Sequence, residues 1–372
     1  MGATTGSFMR SMSVHEIAGD DIVRTHAEGE ANERPPLVVL DPLIEFLDAA
    51  GIGQGELEIS PIGDGHSNVT YAVTRGDARF ILRRPPRGPL PPSAHDVLRE
   101  ARVIGALGPT AARVPKVLAV GDDEAIIGAP FFIMEHVDGE VISSEMPAIF
   151  EDPAQRQKLG EELIDSLVEL HSVDWEAAGL EGFGKPTGYL ERQLRRFGGL
   201  WEHNRTRELE DVDAVGQWLA ANMPESGPAT IVHGDYRLGN VIYAAATPTR
   251  LEAILDWEMA TIGDPLADLG YFATLYVDRD DPPLGMFELN SMTRDEGFPL
   301  RADLIARYEE RSGREMTDIR WYQTLALWKT VVFMEGNYKR AVAGSTDDPF
   351  LAQFGDGVVE LASRARALSD GA

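Results

Sequence analysis

The chain has 372 residues, of which 43% are hydrophobic and 26% charged, and it contains no cysteine. That length predicts two domains or lobes, and the lack of cysteine excludes disulfides, thiolate metal sites and a cysteine nucleophile. The net charge of −27 disfavours partners such as nucleic acid or anionic membranes, which need basic patches. Neither a run of roughly 18 apolar residues nor a signal-peptide core is present, so we expect a cytoplasmic protein.

The sequence pattern changes twice along the chain. Residues 1–40 are polar and interrupted by Gly and Pro, which predicts an N-terminal extension that is poorly ordered or wraps the surface. Residues 41–137 contain a short amphipathic helix and then β-rich segments, interrupted by one helical segment at 94–107. From 138 to 372 the apolar spacing is mainly helical. The sequence therefore predicts an α+β protein with a small β-rich N-lobe and a larger, mainly helical C-lobe.

Two short apolar runs in the C-terminal region each lead to a carboxylate. "ATIV" precedes the loop "HGDYRLGN", which contains Asp235 and Asn240, and "EAIL" precedes Asp256. Gly234 and Gly239 permit sharp backbone turns in this loop. If the two runs pair as antiparallel strands, the three polar side chains meet at one end of the ribbon. Asp235 can then orient a hydroxyl while Asn240 and Asp256 hold Mg²⁺ against phosphate oxygens, an arrangement that suits phosphoryl transfer.

These motifs resemble those of the aminoglycoside phosphotransferase and choline kinase branch of the protein-kinase-like superfamily. "HGDYRLGN" corresponds to the H-G-D-x-x-x-x-N catalytic loop of that branch, and "LDWE" to its metal-binding motif. The chain is most similar to the phosphotransferase-like domains associated with certain acyl-CoA dehydrogenases, from about residue 45 to 345. The resemblance implies a bilobal protein-kinase-like fold that uses ATP and Mg²⁺. It also implies that Asp235 is the catalytic aspartate, with Asn240 and Asp256 as metal ligands.

Supporting roles follow from the same resemblance. His233 would brace the catalytic loop as a structural residue, and Asp268 would fasten it through backbone N–H groups. For both Asp264 and Asp268, the alternative is a charge at a helix N-terminus that complements the helix dipole. Glu258 would assist a second metal ion or be a solvated acid, and both alternatives remain open.

The resemblance places ATP in the N-lobe. "IGDGHSNVTYAV" is similar to the family's loop over the phosphates, in which Gly63 and Gly65 let the backbone approach and Ser67 and Asn68 present donors. An ordinary hairpin is the alternative explanation of this segment.

Arg83 occupies the position where kinases carry a phosphate-contacting lysine, and arginine keeps the charge with a different geometry. Glu100 is its expected ion-pair partner on the N-lobe helix, a surface pair being the alternative, and Arg84 is the alternative if Arg83 points away. In "PFFIMEHVDG", backbone groups of Glu135 and Val137 would bind adenine.

Basic and aromatic residues on two predicted helices bear on the acceptor. "YLERQLRRFGGLWEHNRTRE" contains five arginines, and "LWKTVVFMEGNYKR" adds Lys329, Lys339 and Arg340. Such helices suit an anionic, acyl-bearing substrate better than a cationic aminoglycoside, although solvated helix faces would have the same composition.

Three functions are therefore weighed. The first is an ATP- and Mg²⁺-dependent kinase of a small-molecule hydroxyl, with aminoglycoside-like activity included. The second is the same reaction on a hydroxyacyl-CoA or another metabolite. The third is a nucleotide-binding pseudokinase that acts as a regulatory module, which the presence of all three motif residues disfavours. The sequence predicts no particular oligomeric state.

Overall fold

A computed structural model describes residues 21–62, 68–88, 95–143, 145–283, 290–344 and 351–371. The chain forms two compact units: unit 1 runs to Thr110 and includes Val114–Asp138, and unit 2 comprises Ala111–Arg113 and the residues from Gly139 onward. The sequence prediction divides the lobes after residue 137. No helix within the described ranges has both the length and the apolar character needed to cross a bilayer.

Unit 1 is built on an antiparallel sheet. Its elements, in chain order, are β1 (Ile22–Val23), α1 (His26–Gly29), β2 (Val38–Val39), α2 (Leu40–Ala50), β3 (Leu57–Ile62), β4 (Val69–Arg75), β5 (Ala78–Arg84), α3 (Val97–Leu107), β6 (Val117–Gly121), α4 (Glu124–Ile127) and β7 (Phe131–Glu135). The sheet has the strand order β3-β4-β5-β7-β6. Every neighbouring pair in it is antiparallel, so short connections suffice.

The alternation of side chains in the central strands determines what each face of the sheet contacts. Tyr71 in β4 lies opposite Leu82 in β5, and both belong to a buried cluster that includes residues of α2. Because successive strand residues point to opposite faces, Arg83 and Arg84 at the end of β5 must diverge. This divergence decides which arginine can meet α3.

The described part of the N-terminal region is integrated into unit 1. Ile22 of β1 pairs with Val38 of β2 in parallel, and Thr25 caps α1 through a reciprocal capping box with Glu28. Val38 is also part of the buried cluster. Residues 21–39 therefore contribute to the core of the unit, while residues 1–20 lie outside the described residues.

Unit 2 is mainly helical. Its helices and strands, in chain order, are α5 (Pro153–His171), α6 (Tyr189–Asn204), α7 (Glu210–Ala221), β8 (Thr230–Val232), β9 (Val241–Tyr243), β10 (Leu251–Ile254), β11 (Thr261–Gly263), α8 (Leu266–Leu275), α9 (Arg301–Ser312), α10 (Ile319–Val342) and α11 (Phe354–Asp370). Helices α6, α7, α10 and α11 enclose one buried cluster rich in tryptophan. The predicted α+β class, β-rich first and helical second, is confirmed.

The pairing of the strands around the catalytic loop differs from the prediction. β8 pairs with β11, and β9 pairs with β10, both antiparallel. The expected pairing of the run before His233 with the run before Asp256 is therefore wrong. The loop turns directly into the three-residue strand β9, which is too short to show alternation, and β10 returns beside it. Because the backbone N–H of Leu255 donates to the carbonyl of Asn240 at 2.8 Å, Asp256 still follows a residue that is bonded to the loop.

Candidate active site

A buried aspartate anchors the start of the catalytic loop. Asp268 lies in the first turn of α8 and is 1% exposed. Its carboxylate accepts hydrogen bonds from the backbone N–H groups of His233 at 2.6 Å and Gly234 at 2.8 Å, and from Nε2–H of His171 at 3.2 Å. Burial alone would raise the pKa of Asp268, but the interaction with His171 and the backbone N–H groups hold this pKa below its ordinary value. Burial has the opposite effect on His171 and lowers its pKa. His171 therefore donates as a neutral imidazole to the charged carboxylate of Asp268.

His233 has a structural role. Its Nε2–H donates to the carbonyl of Leu255 at 2.8 Å, and its Nδ1 accepts from the backbone N–H of Asp235 at 3.2 Å. Because one ring nitrogen donates and the other accepts, the tautomer is fixed. The imidazole ring also packs edge-on against the indole of Trp257, with 4.8 Å between the ring centroids. His233 thus joins the catalytic loop to the segment before Asp256.

Gly234 is required where the loop leaves β8. Its φ is +91°, in the left-handed region that other residues adopt only with strain. A Cβ atom there would also lie 2.9 Å from the carbonyl oxygen of Met259. The turn that brings Asp235 out of the sheet therefore depends on glycine.

Asp235 is held by two side chains. Nδ2 of Asn240 donates to the carbonyl oxygen of Asp235 at 2.8 Å and to its Oδ2 at 2.7 Å. Both acceptors are oxygens, so the orientation of the amide is fixed, and Oδ1 of Asn240 accepts no hydrogen bond from the described residues. The hydroxyl of Tyr271 donates to Oδ1 of Asp235 at 2.6 Å. The carboxylate is thus fixed on both sides.

Tyr271 was not identified from the sequence. It follows Asp268 by three residues on α8, a spacing that places both on one helix face. Burial, and then the charge of Asp235, raise the pKa of Tyr271 well above its ordinary value, so the hydroxyl stays a donor. The available signal was this spacing, because an aromatic residue one turn after the loop anchor must face the same loop.

Asp256 has a strained backbone. Its φ of 63° is left-handed, and among the described residues other than glycine only His95 shares a positive φ. Such conformations cost free energy and cluster at functional sites. Asp256 follows Leu255, whose backbone is bonded to both Asn240 and His233. The structure therefore places Asp256 beside the loop that contains the other two predicted residues.

The donor set fits Mg²⁺. Within the described ranges no three His, Asp or Glu side chains are gathered as a metal site by themselves. Asn240 and Asp256 instead offer one amide oxygen and one carboxylate. Mg²⁺ is commonly bound by one or two protein oxygens, with phosphate and water completing the octahedron, so such a sparse set suits a metal that arrives with a nucleotide.

Asp264 follows the helix-terminus alternative. Its Oδ1 accepts the backbone N–H of Leu266, the first residue of α8, at 3.0 Å, and its Oδ2 accepts the hydroxyl of Tyr322 at 2.8 Å. A carboxylate at this end of a helix is favourable. Glu258 lies in the turn that follows Asp256 and is half-buried.

Unit 1 brings three of the predicted nucleotide-binding residues together. Nε of Arg83 donates to Oε2 of Glu100 at 2.9 Å, and Nη1 donates to Oγ1 of Thr70 at 3.1 Å. Nδ2 of Asn68 donates to the same oxygen of Glu100 at 3.3 Å. Glu100 is 2% exposed, so this is a buried network and not a surface pair. Three other predicted residues lie outside the described residues: Gly63, Gly65 and Ser67.

Arg84 is hydrogen-bonded to backbone carbonyls and not to Glu100. It is 4% exposed, and its Nη1 donates to the backbone carbonyls of Leu37 and Ile127. The strand alternation therefore sends Arg83 to α3 and Arg84 to the opposite face of the sheet, which removes Arg84 as the alternative phosphate ligand.

Part of the backbone that is predicted to bind adenine is already hydrogen-bonded within the chain. The N–H of Glu135 donates to the carbonyl of Lys116 at 2.9 Å, and Oε1 of Glu135 accepts the N–H of Lys116 at 2.9 Å. The N–H of Glu135 is therefore not available to a base. Val137 makes no backbone hydrogen bond to the described part of the chain, so its N–H and carbonyl remain available.

The fold and the anchored H-G-D loop define a protein-kinase-like phosphotransferase. The family model described as "Phosphotransferase enzyme family" matches residues 58–318, and the chain belongs to this family. The predicted resemblance is thereby confirmed.

Curated relatives include proteins that are much longer than this chain. Acyl-CoA dehydrogenase family member 10 of Mus musculus is 32% identical over 83% of this chain and 29% of its own length. Acyl-CoA dehydrogenase family member 11 of Homo sapiens is 31% identical over 85% of this chain and 40% of its own length. The chain therefore spans two-fifths or less of these relatives.

Solved structures have the same fold. A Ralstonia eutropha protein, provisionally described as an aminoglycoside phosphotransferase, has a TM-score of 0.77 and 28% identity, covering 89% of this chain and 98% of its own. A thermostable mutant of aminoglycoside phosphotransferase APH(4)-Ia, in ternary complex with AMP-PNP and hygromycin B, has a TM-score of 0.57 and 16% identity, covering 89% and 99%. The second likeness concerns the fold alone. Together with the family, these neighbours support a small-molecule phosphotransferase.

Proposed function

We propose that this chain transfers the γ-phosphate of ATP, with Mg²⁺, to a hydroxyl group of a small molecule. The observation that carries the proposal is the double constraint on Asp235, whose two carboxylate oxygens are bound by Asn240 and Tyr271. Each carboxylate oxygen has further lone pairs, so Asp235 can still accept a hydrogen bond from an acceptor hydroxyl. Phosphoryl transfer depends mainly on such positioning.

Four side chains of unit 2 have defined tasks in this reaction. Asp235 orients the acceptor hydroxyl and takes its proton. Oδ1 of Asn240 and the carboxylate of Asp256 are the groups that would hold Mg²⁺, which supplies neutralisation of the phosphate charge. Asp268 keeps the backbone of the loop in place during the transfer.

The nucleotide side of the proposal rests on unit 1. Glu100 orients the guanidinium of Arg83 through a bond at 2.9 Å, and a guanidinium held in one orientation is a group suited to recognising phosphate. Asn68 braces the same carboxylate. The backbone of Val137 is the proposed contact for adenine.

The direct test is an acceptor scan. Purified chain is incubated with ATP and Mg²⁺ and with aminoglycosides, amino alcohols, sugars or hydroxyacyl-CoAs in turn, and ADP release is measured with and without EDTA. We expect ADP release that needs both metal and one class of acceptor, with a phosphorylated product in ³¹P NMR. ATP binding by calorimetry without transfer to any acceptor would favour a nucleotide-binding regulatory module instead.

A second candidate concerns the charge of the acceptor. In unit 2, Nζ of Lys329 lies 4.9 Å from the ring centroid of Phe197, and the guanidinium of Arg196 lies 5.9 Å from it. Neither cation pairs with a carboxylate among the described residues. Two unpaired cations beside an aromatic ring suit an acceptor that carries an anionic group and an apolar part, such as a hydroxyacyl thioester.

Lys329 lies close enough to the loop anchor Asp268 for their charges to interact. Burial lowers the pKa of Lys329 to about 8, although the charge of Asp268 favours the cationic form of the lysine. Lys329→Met should raise the KM for a hydroxyacyl-CoA and leave that for a neutral acceptor unchanged. Lys339→Met is the matched control, because Lys339 on the same helix donates to the carbonyl of His203. Equal effects of both variants would exclude this candidate.

A further inference from the structure

Unit 1 contains a cavity on the face of its sheet toward which Arg84 points. The cavity has a volume of about 930 Å³, which is the size of a small-molecule site. The segment from α1 to β2 forms one side, and the residues that follow β5 and α4 form the rest. Arg83, Glu100 and Asn68 do not line it. The cavity is therefore distinct from the nucleotide-binding network on the other face of the sheet.

Arg84 lies on the buried side of this cavity. Only 4% of the residue is exposed, and its Nε and Nη1 donate to the backbone carbonyls of Pro85, Leu37 and Ile127. Its Nη2 donates to no residue in the described ranges. Burial lowers the pKa of Arg84 to about 10, so the guanidinium is still charged at neutral pH. The carbonyls bind its hydrogen atoms but do not neutralise that charge.

The other two largely buried arginines of β4 and β5 each have a carboxylate partner. Nη2 of Arg75 donates to Oδ1 of Asp48 at 2.5 Å, and Nε of Arg83 donates to Oε2 of Glu100 at 2.9 Å. Buried charges are generally paired, because an unpaired charge is costly to remove from water. Among the described residues, no carboxylate pairs with Arg84. Its counter-charge can instead come from an anion that enters the cavity.

A second arginine increases the positive charge next to Arg84. Arg87 also lines the cavity, and its charge lowers the pKa of Arg84 in addition to the effect of burial. Nη2 of Arg87 donates to the carboxylate of Asp21, and its Nε donates to the carbonyl of Pro35 at 2.7 Å. Asp21 is thus the counter-charge of Arg87, and Arg84 remains without one.

The exposed side of the cavity has a mixed character. Arg34 lines it and forms no ion pair with the described part of the chain, while Glu30 and Glu33 line it as exposed acids whose charge is screened by solvent. The rings of Pro35 and Pro36 supply apolar surface. A compact ligand with one anionic group fits this arrangement better than a polyanion, which the two glutamates would repel.

We propose that this cavity binds a small organic anion, whose phosphate or carboxylate group pairs with Arg84 and whose apolar part packs against Pro35 and Pro36. A guanidinium recognises both kinds of anionic group through the same charge-assisted hydrogen bonds. The ligand occupies a site other than that of ATP. The proposal does not depend on the phosphotransferase reaction.

The first experiment compares three probes that share an aromatic ring: phenyl phosphate, phenylacetate and benzyl alcohol. Binding of each to the purified chain is measured by calorimetry. At least one of the two anions should bind roughly ten- to a hundredfold more tightly than the neutral alcohol, the range for a charged hydrogen bond. The anion that binds more tightly identifies the preferred group. Binding of neither anion, or equal binding of the alcohol, would overturn the proposal.

Two adjacent arginines distinguish this cavity from the nucleotide-binding network. Arg84→Met should raise the Kd of the preferred anion by about ten- to a hundredfold. Arg83→Met should leave this Kd unchanged, because the side chain of Arg83 points to the other face of the sheet. The reverse pattern would show that the probe occupies the nucleotide-binding network and would overturn the proposal.

A second variant keeps the test decisive if Arg84→Met does not fold after losing its bonds to the carbonyls. Arg34→Met should raise the Kd of the preferred anion about two- to fivefold, the range for an exposed charge. Its matched control is Arg24→Met, because Arg24 is exposed, pairs with Asp41 at 3.2 Å and does not line the cavity. Equal Kd values in these two variants would contradict the proposal. A chain that binds the anion but phosphorylates no acceptor would contradict the proposed function alone.

Discussion

Replacement of Asp268 by Asn is the most informative test of how the catalytic loop is held. The carboxylate receives three donors, two backbone N–H groups and Nε2–H of His171. An asparagine keeps the shape of the side chain but presents one oxygen and one NH₂ group. At least one buried donor would then lose its acceptor, and the NH₂ group would face another donor.

The expected magnitude follows from this count. One unsatisfied buried polar group costs about 1–3 kcal/mol, and removal of one partner from a buried charged network costs about 3–5 kcal/mol. We therefore expect Asp268→Asn to lower the free energy of unfolding by about 3 kcal/mol. Since single domains have about 5–15 kcal/mol in total, the variant should still fold at 25 °C. Its turnover should fall because Asp235 follows the loosened segment.

The assay is urea unfolding at pH 7, with Asp165→Asn as the control. Asp165 forms a two-point ion pair with Arg307 at 2.7 and 2.8 Å and a second ion pair with Arg311 at 3.2 Å. Both arginines are partly exposed, so the loss of these pairs should cost about 1 kcal/mol or less each. Equal losses in the two variants, or full turnover in Asp268→Asn, would refute the anchoring role.

The stability difference between wild type and Asp268→Asn should also depend on pH. The pKa of Asp268 in the folded protein is lowered, so its contribution to stability is present above the ordinary aspartate pKa of about 3.9 and is lost as the pH falls through the lowered value. The stability difference between wild type and Asp268→Asn should be constant from pH 6 to 8 and shrink below about pH 4. A difference that grows on acidification would contradict this sign.

Three further predictions concern the ligands. Asp256→Asn should abolish the part of nucleotide affinity that depends on Mg²⁺, measured by calorimetry with ATP in Mg²⁺ or EDTA; an unchanged metal effect would exclude Asp256 as a ligand. Arg83→Met should raise the ATP KM by roughly ten- to a hundredfold, the range for a charged hydrogen bond, whereas Arg79→Met, an exposed residue on the same strand, should not. With an anionic acceptor, the acceptor KM should rise as the pH passes through about 8 and Lys329 loses its charge; a flat profile would show that Lys329 does not bind it.

The sequence identifies candidate site residues more readily than it predicts how the strands around them pair. Asp235, Asn240 and Asp256 are recognisable because a catalytic loop and a metal motif have few alternatives at this order and spacing. Leu255, the residue before Asp256, is hydrogen-bonded to the backbone of Asn240, and the two segments are joined by the pairing of β9 with β10, which the sequence does not predict. Three-residue strands carry too little alternation for their partners to be read from the sequence.

Residues that act through tertiary contacts were harder to find. Tyr271 and His171 belong to helices whose apolar spacing also explains them as core, and the fold shows that their polar atoms reach Asp235 and Asp268. Arg83 and Arg84 are adjacent and chemically identical, so the register of β5 alone decides which meets Glu100. Backbone groups of Glu135 are expected to bind adenine, and the sequence does not show that its N–H is already bonded to Lys116, because that contact joins residues distant in sequence.

The central claim is that Asp235 is the residue through which an acceptor hydroxyl receives phosphate. Single-turnover transfer of ³²P from [γ-³²P]ATP to the acceptor found in the scan tests it most directly, in wild type and in Asp235→Asn. We predict that the asparagine variant binds MgATP with unchanged affinity and transfers phosphate about 10²- to 10⁴-fold more slowly, the usual contribution of a positioned base. Transfer at the wild-type rate would contradict the assignment of Asp235.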